Sequence, residues 1–429
     1  MADQRRRTAV VGSGIAGLTA AHVLQRAHEV SLYEADDRLG GHAHTHDIPS
    51  ADGRVHAVDS GFIVHNQRTY PQLLRLFAEL GVETQESEMS MSVRCEGCGL
   101  EYAGARGLSG LVAQPRNAFR GRYLRMLAEV PRFHRLARKL LAADAGVQAL
   151  TLGEFLGRGG FSPYFTAHFM TPLVSAVWSC DPVTALGHPA VPLFRFLEHH
   201  GLLSVTGSPT WRTVTGGSRT YVDRVGKELT ALHTSTPVRS VRRLGGGAGG
   251  SGGVEITTDD GTAERYDSVV IAVHPDQALA LLADPTEQES GVLGAFRYSR
   301  NPTVLHTDTT ILPRSPRARA SWNYLMPRCA AGADRVQVSY DMNRLQRLDA
   351  PETYVVTLNG ADRIAPDRVL DRMVYEHPVL DVAAVAAQRR LPGLNGPVTA
   401  YAGAYHGSGF HEDGCRSGAA AAQALGVIW

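Results

Sequence analysis

The stretch from Thr8 to Glu34 constrains this chain more than any other. Thr8–Val11 is a short β-branched and apolar run, as a buried parallel strand requires. Gly12-Ser13-Gly14-Ile15-Ala16-Gly17 follows at once, and Leu18–Arg26 has helical composition with Leu18, Ala21, Val23 and Leu24 available for packing. A second apolar run from Glu29 to Tyr33 ends at Glu34. The three glycines serve different ends. Gly12 permits a tight turn, Gly14 lets backbone approach a pyrophosphate, and Gly17 lets helix pack closely on strand. The N–H groups around Gly14, Ile15, Ala16 and Gly17 then face the phosphates at a helix N-terminus. A lone GxGxxG is weak in a chain with 45 glycines, but strand, glycines, helix, strand and terminal acid in sequence predict a dinucleotide site.

Glu34 can accept both ribose hydroxyls, with Ala35 beside it, which favours FAD or NAD over a 2′-phosphorylated cofactor. Just past it, Asp36-Asp37-Arg38-Leu39-Gly40-Gly41 sets an arginine and a glycine pair. This resembles the second fingerprint of the flavin-containing amine oxidase and protoporphyrinogen oxidase superfamily, in which the glycine pair passes close to the cofactor. Asp59-Ser60-Gly61-Phe62-Ile63-Val64 resembles the strand that runs beside the isoalloxazine there. The resemblance implies FAD as cofactor, held by Gly12, Gly14, Ile15, Ala16, Gly17, Glu34, Ala35, Arg38, Gly40, Gly41, His42, Gly61, Phe62 and Ile63. By the same resemblance Val238 sits near the adenine, and Gly403, Gly409, Phe410, His411 and Glu412 form the C-terminal flavin motif.

Further stretches resemble a bacterial branch of that superfamily, the predicted FAD/NAD-binding oxidoreductases associated with cyclopropane-fatty-acid synthases. They include Glu101-Tyr102-Ala103-Gly104, Trp211-Arg212-Thr213-Val214 running into Gly216-Gly217-Ser218, Val304-Leu305-His306-Thr307-Asp308, Met342-Asn343-Arg344-Leu345-Gln346 and Gly409-Phe410-His411-Glu412-Asp413-Gly414. The implied fold is an α/β, Rossmann-like FAD-binding domain of the GR2 type, interleaved with an α+β substrate domain. Residues 1–80, 213–283 and 392–429 would build the first, and residues 85–205 and 285–390 the second. Departures are evident. Gly40-Gly41-His42 replaces the usual Gly-Gly-Arg, Gly403-Ala404 replaces Gly-Glu, and Tyr405-His406 stands where a bulkier apolar pair is expected.

The glycine-rich stretch Gly245–Gly253 is followed by a strand pattern, not a helix, so it reads as a hairpin tip and not a second phosphate loop. No second dinucleotide fingerprint is present, and so no dedicated NAD(P)H domain is expected. A formal net charge of +1 gives no global field for nucleic acid. No uninterrupted apolar run nears the ~18 residues of a membrane span, and Arg120–Ala143 reads as a helix with a solvated basic face. The basic start, Met1–Arg7, leads directly into the fold and does not read as a secretory signal. The five cysteines, Cys95, Cys98, Cys180, Cys329 and Cys415, suggest no disulfide framework, so a reducing, cytoplasmic location is expected.

No metal site is expected. His42-Ala43-His44-Thr45-His46 has ligand-like spacing but no completing carboxylate or cysteine, and Cys95-Glu96-Gly97-Cys98 is a lone CxxC in a hairpin turn without a second pair. His306 and Asp308, two apart on a strand, are expected to face one pocket. Trp178, Trp322, Tyr324, Tyr340 and Phe410 are candidates for an aromatic wall. The last segment pairs a glycine turn with an alanine-rich helix whose N-terminus can stabilise charge on a reduced flavin, and His411 can either add to that positive field or merely cap the turn.

Three chemistries stay open: hydride removal from a carbon of a largely apolar, fatty-acyl-like small molecule or lipid; amine oxidation; and a redox-neutral flavin isomerase or non-catalytic binder. Many amine oxidases of the superfamily use a lysine near the flavin, but no lysine follows Lys227 here. The tyrosine of the amine cage corresponds to Phe410. Where a base is needed, His411, His406 and His65 are the candidates, in that order, because imidazole titrates near neutrality.

Overall fold

A computed structural model describes residues 5–104, 107–143, 150–204, 207–245, 252–329 and 335–429. A five-stranded sheet runs in the order Ala231–His233, His28–Tyr33, Arg6–Val11, Ser268–Ile271, Thr399–Tyr401, and every pairing in it is parallel. Val10, Val30, Leu32, Val269, Val270 and Ile271 are fully buried, which explains the unbroken apolar runs: both faces of the sheet are covered. Helix Ile15–Leu24 and helix His411–Ala424 pack together on this sheet. Their close approach depends on Gly414 and Gly418. A Cβ on Gly418 would lie 2.3 Å from the Ala16 carbonyl oxygen, and one on Gly414 2.6 Å from Ile15 Cγ2. The packing brings both helix N-termini to the same end of the sheet.

A seven-stranded sheet forms the second layer system, in the order Val369–Val379, Arg297–His306, Val355–Leu358, Gln337–Asp341, Trp322–Met326, Met91–Cys95, Leu100–Ala103. It is antiparallel except where Trp322–Met326 runs parallel to Met91–Cys95. Residues 85–205 therefore open with a hairpin, Met91–Cys95 and Leu100–Ala103, before their helices begin. Among those, Gly121–Ala142 turns Tyr123, Met126, Phe133 and Ala137 inward. Phe133 meets Phe155, Phe161, Phe165 and Phe194 at 5.4–6.0 Å between ring centroids. The apolar face is thus spent on the core and the arginines face outward, as expected of a solvated basic face.

Smaller sheets join these parts. Trp211–Val214 pairs with both Val64–Asn66 and Thr84–Glu86, and Thr45–Pro49 pairs with Val55–Asp59. Strands Val238–Leu244 and Gly253–Thr258 are antiparallel neighbours, as a hairpin requires; the tip itself, residues 246–251, lies outside the described residues. No helix among the described residues is long and apolar enough to cross a membrane.

Candidate functional site

The cradle is built from backbone. Gly12 has φ +98°, and a Cβ there would lie 2.7 Å from the Ala272 carbonyl oxygen; one on Gly17 would lie 1.9 Å from the Gly12 carbonyl oxygen. Gly14 has nothing within 4 Å of a built Cβ, so its face is open to an incoming group. Helix Ile15–Leu24 has Gly14 as N-cap, no side-chain cap and no acid in its first turn. Its leading N–H groups, at Ile15, Ala16 and Gly17, are left for an anion. Glu34 accepts from Ser13 N–H at 2.9 Å and Asp36 N–H at 3.0 Å, which holds its carboxylate at the rim of the glycine loop. Ala35 is exposed beside it. Val238 is buried where its strand begins, and the chain just before it is tied to Glu34 by the Thr236 N–H to Glu34 carbonyl bond of 2.9 Å.

The second motif folds back onto the first. Gly40 N–H reaches the Ser13 carbonyl at 3.2 Å, and a Cβ on Gly41 (φ +56°) would fall 3.3 Å from Gly14 Cα. Arg38 is half-buried next to them. Asp59–Val64 is not the continuous strand expected. Pairing stops at Asp59 and resumes at Val64, because Gly61 must pass so near His42 that a Cβ would lie 2.1 Å from its carbonyl oxygen. Phe62 N–H donates to that same carbonyl at 2.7 Å, and Phe62 and Ile63 are buried.

Half-buried and buried imidazoles gather around this crossing. His42, in place of the family's arginine, lies 5.0 Å from the Tyr375 ring and 5.3 Å from His377, and its Nε2 has no partner. Burial, then the His377 and His274 imidazoles, holds its pKa well below the usual histidine value. Burial pushes His377 down to about 4. The His44 and His46 rings lie 4.0 Å apart, tilted by 36°; His44 Nδ1 pairs with the Tyr375 hydroxyl, while His46 uses Asp371 and Ser60. His44 Nδ1 and both His46 ring nitrogens are thus engaged within the protein.

At the C-terminal motif, Gly409 (φ +92°) turns the chain and Asp413 fixes the turn, accepting from Ser408 N–H at 2.9 Å and Phe410 N–H at 3.1 Å. Sequence reasoning missed Asp413, although three residues from turn to acid is a capping signal. Gly403 leaves room for the Tyr405 ring, which would meet a Cβ at 2.2 Å. His411 stacks on Phe62 and its Nε2 lies 3.1 Å from the Tyr221 hydroxyl. Burial, with the His65 imidazole next, pushes its pKa down to about 3. It is therefore neutral at physiological pH, and the reading in which it adds a positive charge is corrected. The Glu412 side chain is engaged away from this turn. Its carboxylate accepts from Gln72 N–H and Leu73 N–H at 3.0–3.1 Å and so caps helix Pro71–Leu80, whose N-cap Tyr70 supplies no side-chain cap.

His406 is pushed down to about 4 by burial and then Arg416, with Nε2 unpartnered; His65 goes to about 4 by burial and then Arg212, with both ring nitrogens unpartnered. The three candidate bases are thus neutral imidazoles. His306 and Asp308 do not share a pocket. His306 Nε2 bonds Thr357 Oγ1 at 2.8 Å, while Asp308 caps the turn at Thr310 and accepts from Ala365 N–H. The strand ends at His306 and Asp308 caps the turn Thr309–Ile311, so the two-residue alternation on which that expectation rested does not extend to Asp308.

The aromatic wall divides in two. Trp322 and Tyr340 meet edge to face at 5.4 Å, and Tyr324 is buried in the same core. Trp178 instead joins Phe196, His200 and Phe410; Phe196 stacks on Phe410 at 4.7 Å, and Trp178 Nε1–H donates to the Ser408 carbonyl at 3.0 Å. These residues line a cavity of about 280 Å³ against the Gly407–Phe410 turn, with Arg195 and Arg416 among its lining.

An open glycine cradle, an acid at the ribose position and a second loop laid over the first define a dinucleotide flavoprotein. The chain matches the flavin-containing amine oxidoreductase family over residues 15–311, and it belongs to that family of FAD-dependent oxidoreductases. It is 30% identical over 296 residues to a Mycobacterium tuberculosis protein named as a flavin-containing monoamine oxidase, AofH; that stretch covers 64% of this chain and 58% of the relative. The fold is shared with putrescine oxidase bound to putrescine (TM-score 0.68, 16% identity, 98% of each chain). It is shared too with a CLA-producing fatty acid isomerase from P. acnes (TM-score 0.66, 17% identity, 96% of this chain and 97% of the other).

Proposed function

We propose that the protein takes hydride from a carbon of a largely apolar, carboxylate-bearing substrate of the fatty-acyl class. The observation that carries this reading is the aromatic cavity beside Phe410, with Arg195 and Arg416 at its exposed side, while its two lining carboxylates, Glu412 and Asp413, are buried and held by backbone N–H groups. Its volume, about 280 Å³, is at the lower edge of the ~300–1,000 Å³ typical of ligand sites, so it suits one part of a long chain. Arg195 would hold the carboxylate, while Trp178, Phe196 and Phe410 would orient the chain.

The N–H groups at Gly14–Gly17 would hold the pyrophosphate of FAD and Glu34 the ribose, with Arg38, Gly41 and His42 along the cofactor. FAD, when bound, supplies the hydride acceptor. The N-terminus of helix His411–Ala424 would supply the positive field at the redox centre, because His411 is neutral. Of the three candidate bases, His65 is the one with both ring nitrogens unpartnered, although burial and Arg212 oppose its protonation.

Amine oxidation is the second reading, favoured by the name of the M. tuberculosis relative. Against it stand the absence of any lysine after Lys227 and the apolar Phe410. Anaerobic mixing of the purified protein with unsaturated and cyclopropane acyl lipids, and in parallel with primary amines, separates the two. Flavin bleaching by acyl substrates supports the first reading; bleaching by amines alone overturns it. Turnover of an acyl substrate without net bleaching would instead indicate redox-neutral isomerisation.

A further inference from the structure

The CxxC turn does not stand alone. Residues 95–98 link strands Met91–Cys95 and Leu100–Ala103, and two distant segments meet this turn. Strand Trp322–Met326 runs parallel to Met91–Cys95 and delivers Cys329 just beyond its end. A π-helical turn, Thr166–Met170, delivers His168, which is fully buried. Such turns are rare and often mark functional sites. The donor atoms of Cys95, Cys98, His168 and Cys329 all lie within 4.8 Å of one another.

We propose that these four side chains form a structural site for one zinc ion. Zn–S bonds of about 2.3 Å and a Zn–N bond of about 2.0 Å put tetrahedral donors roughly 3.5–3.8 Å apart. The Cys95 and Cys329 sulfurs are 3.6 Å apart, and Cys98 Sγ is 3.7 Å from His168 Nε2. A covalent disulfide needs about 2.05 Å, and would also leave one thiol and the imidazole unused. An iron–sulfur cluster would need room for its inorganic core between the ligands, which this spacing does not provide.

The surroundings suit a metal. His168 Nδ1 lies 3.2 Å from the Tyr164 carbonyl, so the ring donates there and leaves Nε2 for the ion. The Tyr164 ring stacks on His168 at 3.9 Å, fixing its plane. Backbone N–H groups of Cys98 and Leu100 donate to the sulfurs of Cys95 and Cys98, respectively. Gly97 is required by the approach of the third strand: a Cβ there would lie 2.9 Å from Cys329 N and 3.0 Å from its sulfur. Cys329 is exposed, which gives the ion a path in. Four protein ligands leave no open position, so the role is to clasp three segments of the seven-stranded sheet region, and not catalysis. Binding displaces the thiol protons to solvent and involves no change of oxidation state.

The test is the metal content of full-length protein produced with added zinc and purified without chelators. About one zinc per chain is expected, released when a mercurial titrates the thiols. Exchange with Co²⁺ should give thiolate charge-transfer and intense tetrahedral d–d bands. His168→Ala and Cys98→Ser should lose the metal; zinc retained in full by both would overturn the proposal. If either variant does not fold, the native protein decides alone. Reduced protein that neither carries zinc nor takes up Zn²⁺ or Co²⁺, or a Cys95–Cys329 disulfide in freshly purified material, would also overturn it.

Discussion

The His411 imidazole lies face to face on the Phe62 ring, 3.6 Å between centroids and 13° from parallel. This contact joins the start of the last helix to the chain that passes under the second glycine motif. The ring is half-buried, and desolvation there lowers its pKa to about 3, so it carries no charge at neutral pH. The positive field near the redox centre then belongs to the backbone dipoles of helix His411–Ala424, which do not titrate.

The buried neutral histidines make the fold acid-labile well above the carboxylate range. Burial lowers the pKa of His65, His188, His200 and His306 to about 4 each, and all four are at most 7% exposed. Between the unfolded value of about 6.5 and the folded one, the unfolded chain binds more protons, so stability falls as pH falls. Each group contributes on the order of 1–2 kcal/mol of loss by pH 5. Asp59, raised by burial to about 6, acts in the opposite sense, as do Asp341, Glu412 and Asp413. But His42, His44, His377, His406 and His411 are lowered as well, and the histidines outnumber these carboxyls. Thermal melts should show Tm falling steeply from pH 7 to 5; a flat profile would contradict the assigned neutrality.

Gly14 and Gly17 should respond differently to alanine. Gly14 has φ −61° and open space around a Cβ, so Gly14→Ala should fold with a Tm near that of the native protein. Its methyl group would occupy the face left for pyrophosphate, and FAD affinity should fall at least about tenfold, or 1.4 kcal/mol. Gly17→Ala forces a methyl to within 1.9 Å of the Gly12 carbonyl oxygen and should impair folding itself. The flavin-to-protein absorbance ratio beside the melting curve separates the two. Equal losses of fold in both variants would refute the division of roles.

Local order made the cradle legible: Gly12, Gly14, Gly17 and Glu34 lie within one strand–helix–strand unit, and their spacing carries the chemistry. What sequence could not reveal depends on distant partners. Asp59 binds Thr45, Ser218 and Gln346, from three separate stretches. Glu412 caps a helix 340 positions away in the chain. Cys95 meets Cys329 across 234 positions, so the CxxC shows no completing partner in its own stretch of sequence. His306 and Asp308 failed for a different reason: the strand stops at His306, and Asp308 caps the turn after it.

Removing the Glu412 carboxylate should affect stability and not the flavin. Glu412→Ala leaves the Gln72 and Leu73 N–H groups without their acceptor, and the cost should be about 1 kcal/mol, as for other lost N-caps. Flavin content per chain should be unchanged. Loss of FAD from a variant that melts normally would return Glu412 to the cofactor site.

Arg195 tests the substrate reading directly. It is exposed at the side of the cavity formed by Trp178, Phe196 and Phe410, where the carboxylate of an acyl chain would emerge. Exposed ion pairs contribute about 0.2–1 kcal/mol, so Arg195→Gln should raise KM for a free fatty acid by up to about fivefold and leave kcat alone. The matching methyl ester, which has no charge to lose, should show the same KM with either protein. An amine substrate predicts the reverse: removing a cation from the rim would relieve repulsion and lower its KM. The direction of the KM change across acid, ester and amine therefore distinguishes an acyl from an amine substrate even where all three reduce the flavin.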